Sequence, residues 1–252
     1  MSFQKHNSSQ YPDHLLCEAD GLRHLQQQLS AINSPIKTPQ VISISKDTLE
    51  LERIQAVGGS RSQWRQFGKA LATLHQQQQP RYGWYADNYI GLNPQINMQT
   101  VDWGSFFYQY RLLAQARMII DQSRQQLVLQ AMDACASQLI EFLDKEVDHP
   151  ALLHGDLWSG NVLFDQQHAW LIDPAIYCGD ADADVAMTEL FGGFPGIFYQ
   201  SYRSVRTISE QYPLKKVIYN LYHQLNHLNL FGDSYWPAVD RDLRTLHRQL
   251  AG

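Results

Sequence analysis

Apolar residues recur at two different periods along this chain, and the change of period divides it. Residues 2–6 read as a very short strand. Leu15, Ala19, Leu22 and Leu25 then repeat at helical spacing, with Asp13 placed to act as N-cap. The prolines in SPIKTP, residues 34–39, break that helix. QVISISKDTLELERI, residues 40–54, alternates around a Lys-Asp turn and predicts two antiparallel strands. After Val57-Gly58-Gly59 the period becomes helical, and Trp64, Phe67, Leu71 and Leu74 share one face. Residues 76–97 are rich in aromatics but show no clear period, which predicts a loop about twenty residues long, too aromatic for disorder. Helices are expected at roughly 102–121 and 124–145. NVLF and AWLID, separated by DQQH, predict a hairpin over 161–173, and mostly helix follows. The pattern therefore predicts a small strand-rich part, residues 1–57, and a larger helical part, residues 58–252.

Composition changes this picture little. A chain of 252 residues with 44% apolar and 18% charged residues is an ordinary globular protein with a large core. Its net charge of −5 and the lack of a Lys/Arg stripe argue against nucleic acid as a partner. Cys17, Cys135 and Cys178 are widely spaced and form no metal or redox motif, so a reducing, cytoplasmic setting is expected. The opening MSFQKHNSSQ has no apolar leader region, and no stretch reaches membrane-spanning length; no membrane partner is expected.

Candidate chemistry is concentrated in ALLHGDLWSGNVLFDQQHAWLIDPA, residues 151–175. The predicted hairpin carries Asp173 back beside Asn161, and amide and carboxylate oxygens are hard donors suited to Mg2+. Asp156, on the loop before the hairpin, is free to face a hydroxyl nucleophile. Phosphoryl transfer needs those parts: a carboxylate that orients the acceptor and oxygen ligands for a metal on the nucleotide phosphates. Spacing alone reaches Mg2+-dependent phosphotransfer to a hydroxyl and no further. His154 reads as a buried scaffold histidine rather than a catalyst, and Cys178 as an inert thiol.

The order H-G-D-x-x-x-x-N followed by I-D-P resembles the catalytic and metal-binding loops of kinase-like phosphotransferases, which include protein kinases, aminoglycoside phosphotransferases and choline kinases. HGDLWSGN, with DPAIYCGD, LFGGF and LYHQLNHLNLFG, is similar to the fructosamine kinase (ketosamine-3-kinase) family from about residue 2 to the end. The resemblance implies an α+β, protein-kinase-like two-lobed fold with a truncated small lobe and a mainly helical large lobe. It implies ATP and Mg2+, and phosphorylation of a sugar hydroxyl on a free or protein-linked ketoamine, a step in repairing glycated amines.

Carried over residue by residue, Asp156 matches the family's catalytic base, and Asn161 and Asp173 its metal ligands. Lys5 matches the strand lysine that grips the phosphates, and Glu18 its helix partner. Glu52, Arg53 and Ile54 match the hinge whose backbone meets the adenine. Trp158 offers a flat indole that could stack on a sugar. Asp180 and Asp184 fall where the family braces its site with charged residues, and Ala181 stands where an arginine is expected.

The same resemblance implies a strand–turn–strand with a Gly/Ser-rich turn ahead of the lysine strand, yet four residues precede Lys5. The expectation drawn from this is a start assigned too late. A true truncation with weakened activity, or a hairpin replaced by a partner, stays open. So do two other functions: a kinase for an aminoglycoside, choline or similar alcohol, and a non-catalytic remnant that binds without turnover.

Overall fold

The computed structural model describes residues 2–250; Met1, Ala251 and Gly252, at the ends of the two predicted parts, lie outside it. The first elements are β1 (Ser2–His6), α1 (His14–Ala31), β2 (Ile36–Lys37), β3 (Val41–Ile44) and β4 (Thr48–Glu52). β4 is the centre of an antiparallel three-stranded sheet between β1 and β3, with Lys5 opposite Leu49. Among the described residues β1 pairs on one side only. Leu49 and Leu51 of β4 pack on Leu15, Ala19 and Leu22 of α1, forming a small core of their own. That is the apolar stripe the helical period predicts.

One local expectation fails here. Asp13 makes no side-chain cap; its carboxylate instead accepts the Tyr89 hydroxyl at 2.6 Å. A tertiary partner outcompetes the local amides. The proline-flanked break also contains β2, a strand whose partner lies far ahead in the sequence.

The second part opens with α2 (Arg61–His75), whose start Ser60 and Gln63 close as a reciprocal capping box. The aromatic stretch is no plain loop: β5 (Asn88–Ile90) and β6 (Asn93–Gln95) form a hairpin within it. The helix expected at 102–121 is α3 (Trp103–Phe107), a π-helical turn (Tyr108–Leu113) and α4 (Ala114–Arg117) in series. The next expected helix is two, α5 (Gln122–Asp133) and α6 (Ala136–Glu146), because Cys135 leaves helical geometry at φ −124°, ψ 12°. Met132, Cys135 and Leu139 are all buried and keep helical spacing across that break, so the apolar period conceals it.

Short strands then frame the candidate residues: β7 (Ala151–Leu153), β8 (Val162–Phe164), β9 (Ala169–Leu171) and β10 (Tyr177–Gly179). β8 and β9 are the predicted hairpin, β2 runs parallel to β9, and β10 is antiparallel to β7. The chain ends in α7 (Ala181–Leu190), α8 (Gly196–Arg203), α9 (Tyr212–Phe231) and α10 (Trp236–Leu250). A large core surrounds Trp103, Phe106, Phe107, Tyr219 and Tyr222, and it also takes in Leu25 and Leu29 from the second half of α1. No described helix is long and apolar enough to cross a membrane.

α2 and α8 approach closely at Gly68, where an added Cβ would lie 2.5 Å from the Phe198 carbonyl oxygen. Helix propensity favours alanine over glycine by about 1 kcal/mol. Overpacking costs about 1–3 kcal/mol, and a backbone atom has little freedom to give way. Gly68→Ala is therefore expected to lower stability in chemical denaturation despite its better propensity. A more stable variant would show that the helices have room to separate.

Candidate active site

The sharp turn after β7 depends on Gly155. Its φ is +81°, and a Cβ there would sit 2.1 Å from the Ala175 carbonyl oxygen. The loop is fastened from below by Asp184 on α7, a fully buried carboxylate that accepts the backbone N–H groups of His154 at 2.7 Å and Gly155 at 2.9 Å. His75 Nε2 lies 3.3 Å from the same carboxylate. Burial works against the charge on Asp184, but His75 and His154 outweigh it and hold its carboxyl below the usual range.

His154 serves as scaffold. Its Nε2–H donates to the Ile172 carbonyl at 2.9 Å and its Nδ1 accepts the Asp156 N–H at 3.3 Å, so one ring spans two loops. Burial pushes its pKa down, which suits a neutral imidazole with that division of roles.

The loop delivers Asp156 to the cleft. Asn161 donates its amide to the Asp156 carbonyl at 2.8 Å and to its carboxylate at 3.0 Å. This leaves the Asn161 side-chain oxygen without a protein partner among the described residues. Burial raises the Asp156 pKa; the Asn161 amide offsets part of the rise, while the charges of Asp173 and Asp184 add to it, to about 7.

Asp173 sits just past β9 in the left-handed region, at φ +53°, a conformation aspartate tolerates better than most residues. Hydrogen bonds on either side fix it there: Ile172 N–H to the Asn161 carbonyl at 3.1 Å, and Ala175 N–H to the His154 carbonyl at 2.9 Å. Its carboxylate is 45% exposed. Lys5 Nζ bridges it at 2.5 Å to Glu18 at 2.7 Å, joining the sheet, α1 and the hairpin end. Burial disfavours the Lys5 ammonium, but the two carboxylates outweigh that and raise its pKa, so it stays charged. Burial lifts the Glu18 pKa against the pull of Lys5.

Lys5, Glu18, Asp156, Trp158, Asn161 and Asp173 all line one cavity of about 520 Å³. Trp158 is 36% exposed; its ring lies close over Gly160 and meets Phe191 edge-on at 6.0 Å. The structure does not bring the last three candidates to that cavity. Glu52, Arg53 and Ile54 line a different one, of about 600 Å³, with Val57, Asp165 and Trp170. Among the described residues no three His, Cys, Asp or Glu side chains gather into a metal cage.

The flanking acids divide their work. Asp180 and Asp182 are buried against Lys215, which lies 2.5 Å from each, and Arg206, 2.8 Å from Asp182. The positive charge beside them comes from α9 and the segment after α8, where the sequence showed only Ala181. Sequence reasoning also missed Asn88 and Gln95, whose amides hold the carbonyls of Ile176 at 2.8 Å and Ala175 at 3.1 Å, just beyond Asp173. Their signal was faint: buried amides on strands three residues long.

The fructosamine kinase family model matches residues 1–249 of the chain. A probable ketoamine kinase from Synechocystis is 38% identical over 251 residues, 96% of this chain and 81% of the relative. A solved structure from Haemophilus somnus, provisionally named a fructosamine-3-kinase, superposes with a TM-score of 0.86 at 30% identity, covering 97% of this chain and 83% of the other. The choline kinase LicA of Streptococcus pneumoniae superposes at 0.64 with 16% identity, over 98% of this chain and 86% of that one, a likeness of fold alone.

The raised Asp156 pKa costs stability. An aspartate titrates near 3.8 when unfolded and at about 7 here, so folding loses free energy as pH climbs between those values, by at most about 4 kcal/mol. In metal-free buffer Asp156→Asn is expected to melt above the native protein at pH 8, with the gain gone by about pH 4. Equal melting at pH 8 would mean that Asp156 is solvated like an ordinary carboxylate.

Proposed function

The chain belongs to the fructosamine kinase family, and we propose that it transfers the γ-phosphoryl group of ATP to a sugar hydroxyl of a ketoamine, such as a fructosamine or ribulosamine. The observation that carries this is the Lys5–Glu18–Asp173 chain of ion pairs, which borders the cavity holding Asp156 and Asn161. In the proposal that cavity is the cleft between a small lobe, residues 1–57, and a larger one, residues 58–252.

Asp156 takes the proton of the acceptor hydroxyl as its oxygen attacks the γ-phosphorus, and the bond to the ADP oxygen breaks. A carboxylate at the end of a fixed loop is oriented for that proton, and a pKa of about 7 is high enough to receive it. Lys5, held by Glu18, grips the α- and β-phosphates. The Asn161 side-chain oxygen and the Asp173 carboxylate fit Mg2+, which typically takes one or two protein oxygens and completes its shell with phosphate and water oxygens. When bound, the metal neutralises charge on the phosphates. Trp158 stacks its exposed indole on the sugar and aims the hydroxyl at Asp156. The adenine contact of Glu52, Arg53 and Ile54 rests on the resemblance alone.

Three variants test these roles with ATP, Mg2+ and a ketoamine. Asp156→Asn should cut kcat by about 10²–10⁴-fold with MgATP affinity nearly intact; unchanged turnover would remove it as base. Asp173→Asn should weaken MgATP binding in calorimetry by about 10- to 100-fold, and normal affinity would count against a metal role. Trp158→Ala should raise the acceptor KM by about 2- to 10-fold while the ATP KM holds. An unaltered acceptor profile would refute the stacking.

A further inference from the structure

α1 is held unevenly. Its second half contributes Leu25 and Leu29 to the large core. Its first half, which carries Glu18, belongs to the small core of Leu15, Ala19, Leu22, Leu49 and Leu51 under a three-stranded sheet. By apolar packing alone, the end bearing Glu18 has the smaller hold: that core, and at Gly21 a close approach to Pro174 and Ile176.

A second face of the helix makes up the difference. The segment from Trp84 to Gly91 runs along it. The Tyr89 hydroxyl donates to Asp13 at 2.6 Å, and His14 Nε2 donates to the Gly91 carbonyl at 2.8 Å, with the His14 and Tyr89 rings 4.9 Å apart. Tyr85 donates to Asp20, and His24 meets Trp84 edge-on at 5.2 Å. Asp13, Asp20 and His24 recur at helical spacing on one stripe, and Glu18 lies between that stripe and the sheet face.

The hairpin of β5 and β6 has a second grip. Strand alternation turns Tyr89 toward α1, and its neighbour Asn88 is buried against the Ile176 carbonyl. Gln95 bonds both Asn88, at 2.7 Å, and the Ala175 carbonyl. One small hairpin therefore touches the helix that carries Glu18 and the segment that follows Asp173. We infer that Tyr89 and His14 are positioning residues: the hairpin clasps the start of α1 and sets Glu18, and through it Lys5, in register with Asp173. In this protein α1 is a fixed strut. The role in phosphate binding rests on the kinase reading above; the clasp itself does not.

The test uses the full chain in two measurements. Tyr89→Phe removes only the hydroxyl and keeps the ring. Without nucleotide, hydrogen exchange of amides in residues 14–20 is expected to accelerate about 3- to 10-fold, while α9 is unchanged. In turnover, the ATP KM is expected to rise by a similar factor with kcat within about twofold and the acceptor KM unmoved. Asp13→Ala should match it, Asp13→Asn should retain most of the native behaviour by keeping an acceptor oxygen, and the double variant Asp13→Ala/Tyr89→Phe should be no worse than either single. Exchange in residues 14–20 that stays native, or that rises equally across the whole chain, would overturn the clasp. Local loosening of α1 with an unchanged ATP KM would overturn its role in setting Lys5. A native protein inactive on ketoamines would count against the kinase reading, and the exchange measurement would still decide the clasp.

Discussion

Lys5 holds its ammonium between the carboxylates of Glu18 and Asp173, and those three groups come from three different elements. A salt bridge at a surface is worth about 0–1 kcal/mol, too little to assemble anything. This one is 21% exposed at the lysine and is set at the seam between a small core and a large one. Its value lies in geometry. The sheet supplies Lys5, α1, seated by its apolar stripe, supplies Glu18, and the hairpin of β8 and β9 delivers Asp173 in a left-handed conformation that its neighbours' hydrogen bonds maintain. Phosphate charge entering this cavity would meet an ammonium already ionised and already aimed.

The loop that carries Asp156 is assembled on a different principle, with charge buried beneath it. Asp184 spends both oxygens on backbone N–H groups, so removing it would strand two amides in the core. Asp180 and Asp182 are neutralised by Lys215 and Arg206. Three acids within five residues at a helix start would repel one another if left alone. Asp180 and Asp182 share two cations, Asp184 has its amides and His75, and the loop above inherits a rigid floor. Asp156 is the exception: its surroundings disfavour its charge and favour its protonated form.

Much of this was legible because the informative residues act locally. The H-G-D spacing, the hairpin turn and the helical stripe of α1 each depend on neighbours a few positions away, and the structure shows all three. What stayed hidden depends on distant partners. Asp13 looked like a cap until Tyr89 claimed it. Asn88 and Gln95 looked like loop residues because strands of three residues are too short to show a period. β2 has no pattern of its own and exists through pairing with β9. The missing positive charge at Ala181 returns as Lys215 and Arg206, more than twenty positions onward. The helix break at Cys135 was invisible for the opposite reason: burial continues through it unchanged.

Gly155 and Ala175 leave no slack between the two working loops. A side chain at 155 has nowhere to go unless the backbone at 175 withdraws first, and that backbone is also tied to His154 and Gln95. Sequence change at this point is therefore a two-key lock. A route to a new activity on this scaffold has far more freedom along the walls of the cavity, at Trp158 or Leu92, than at the junction where its loops meet.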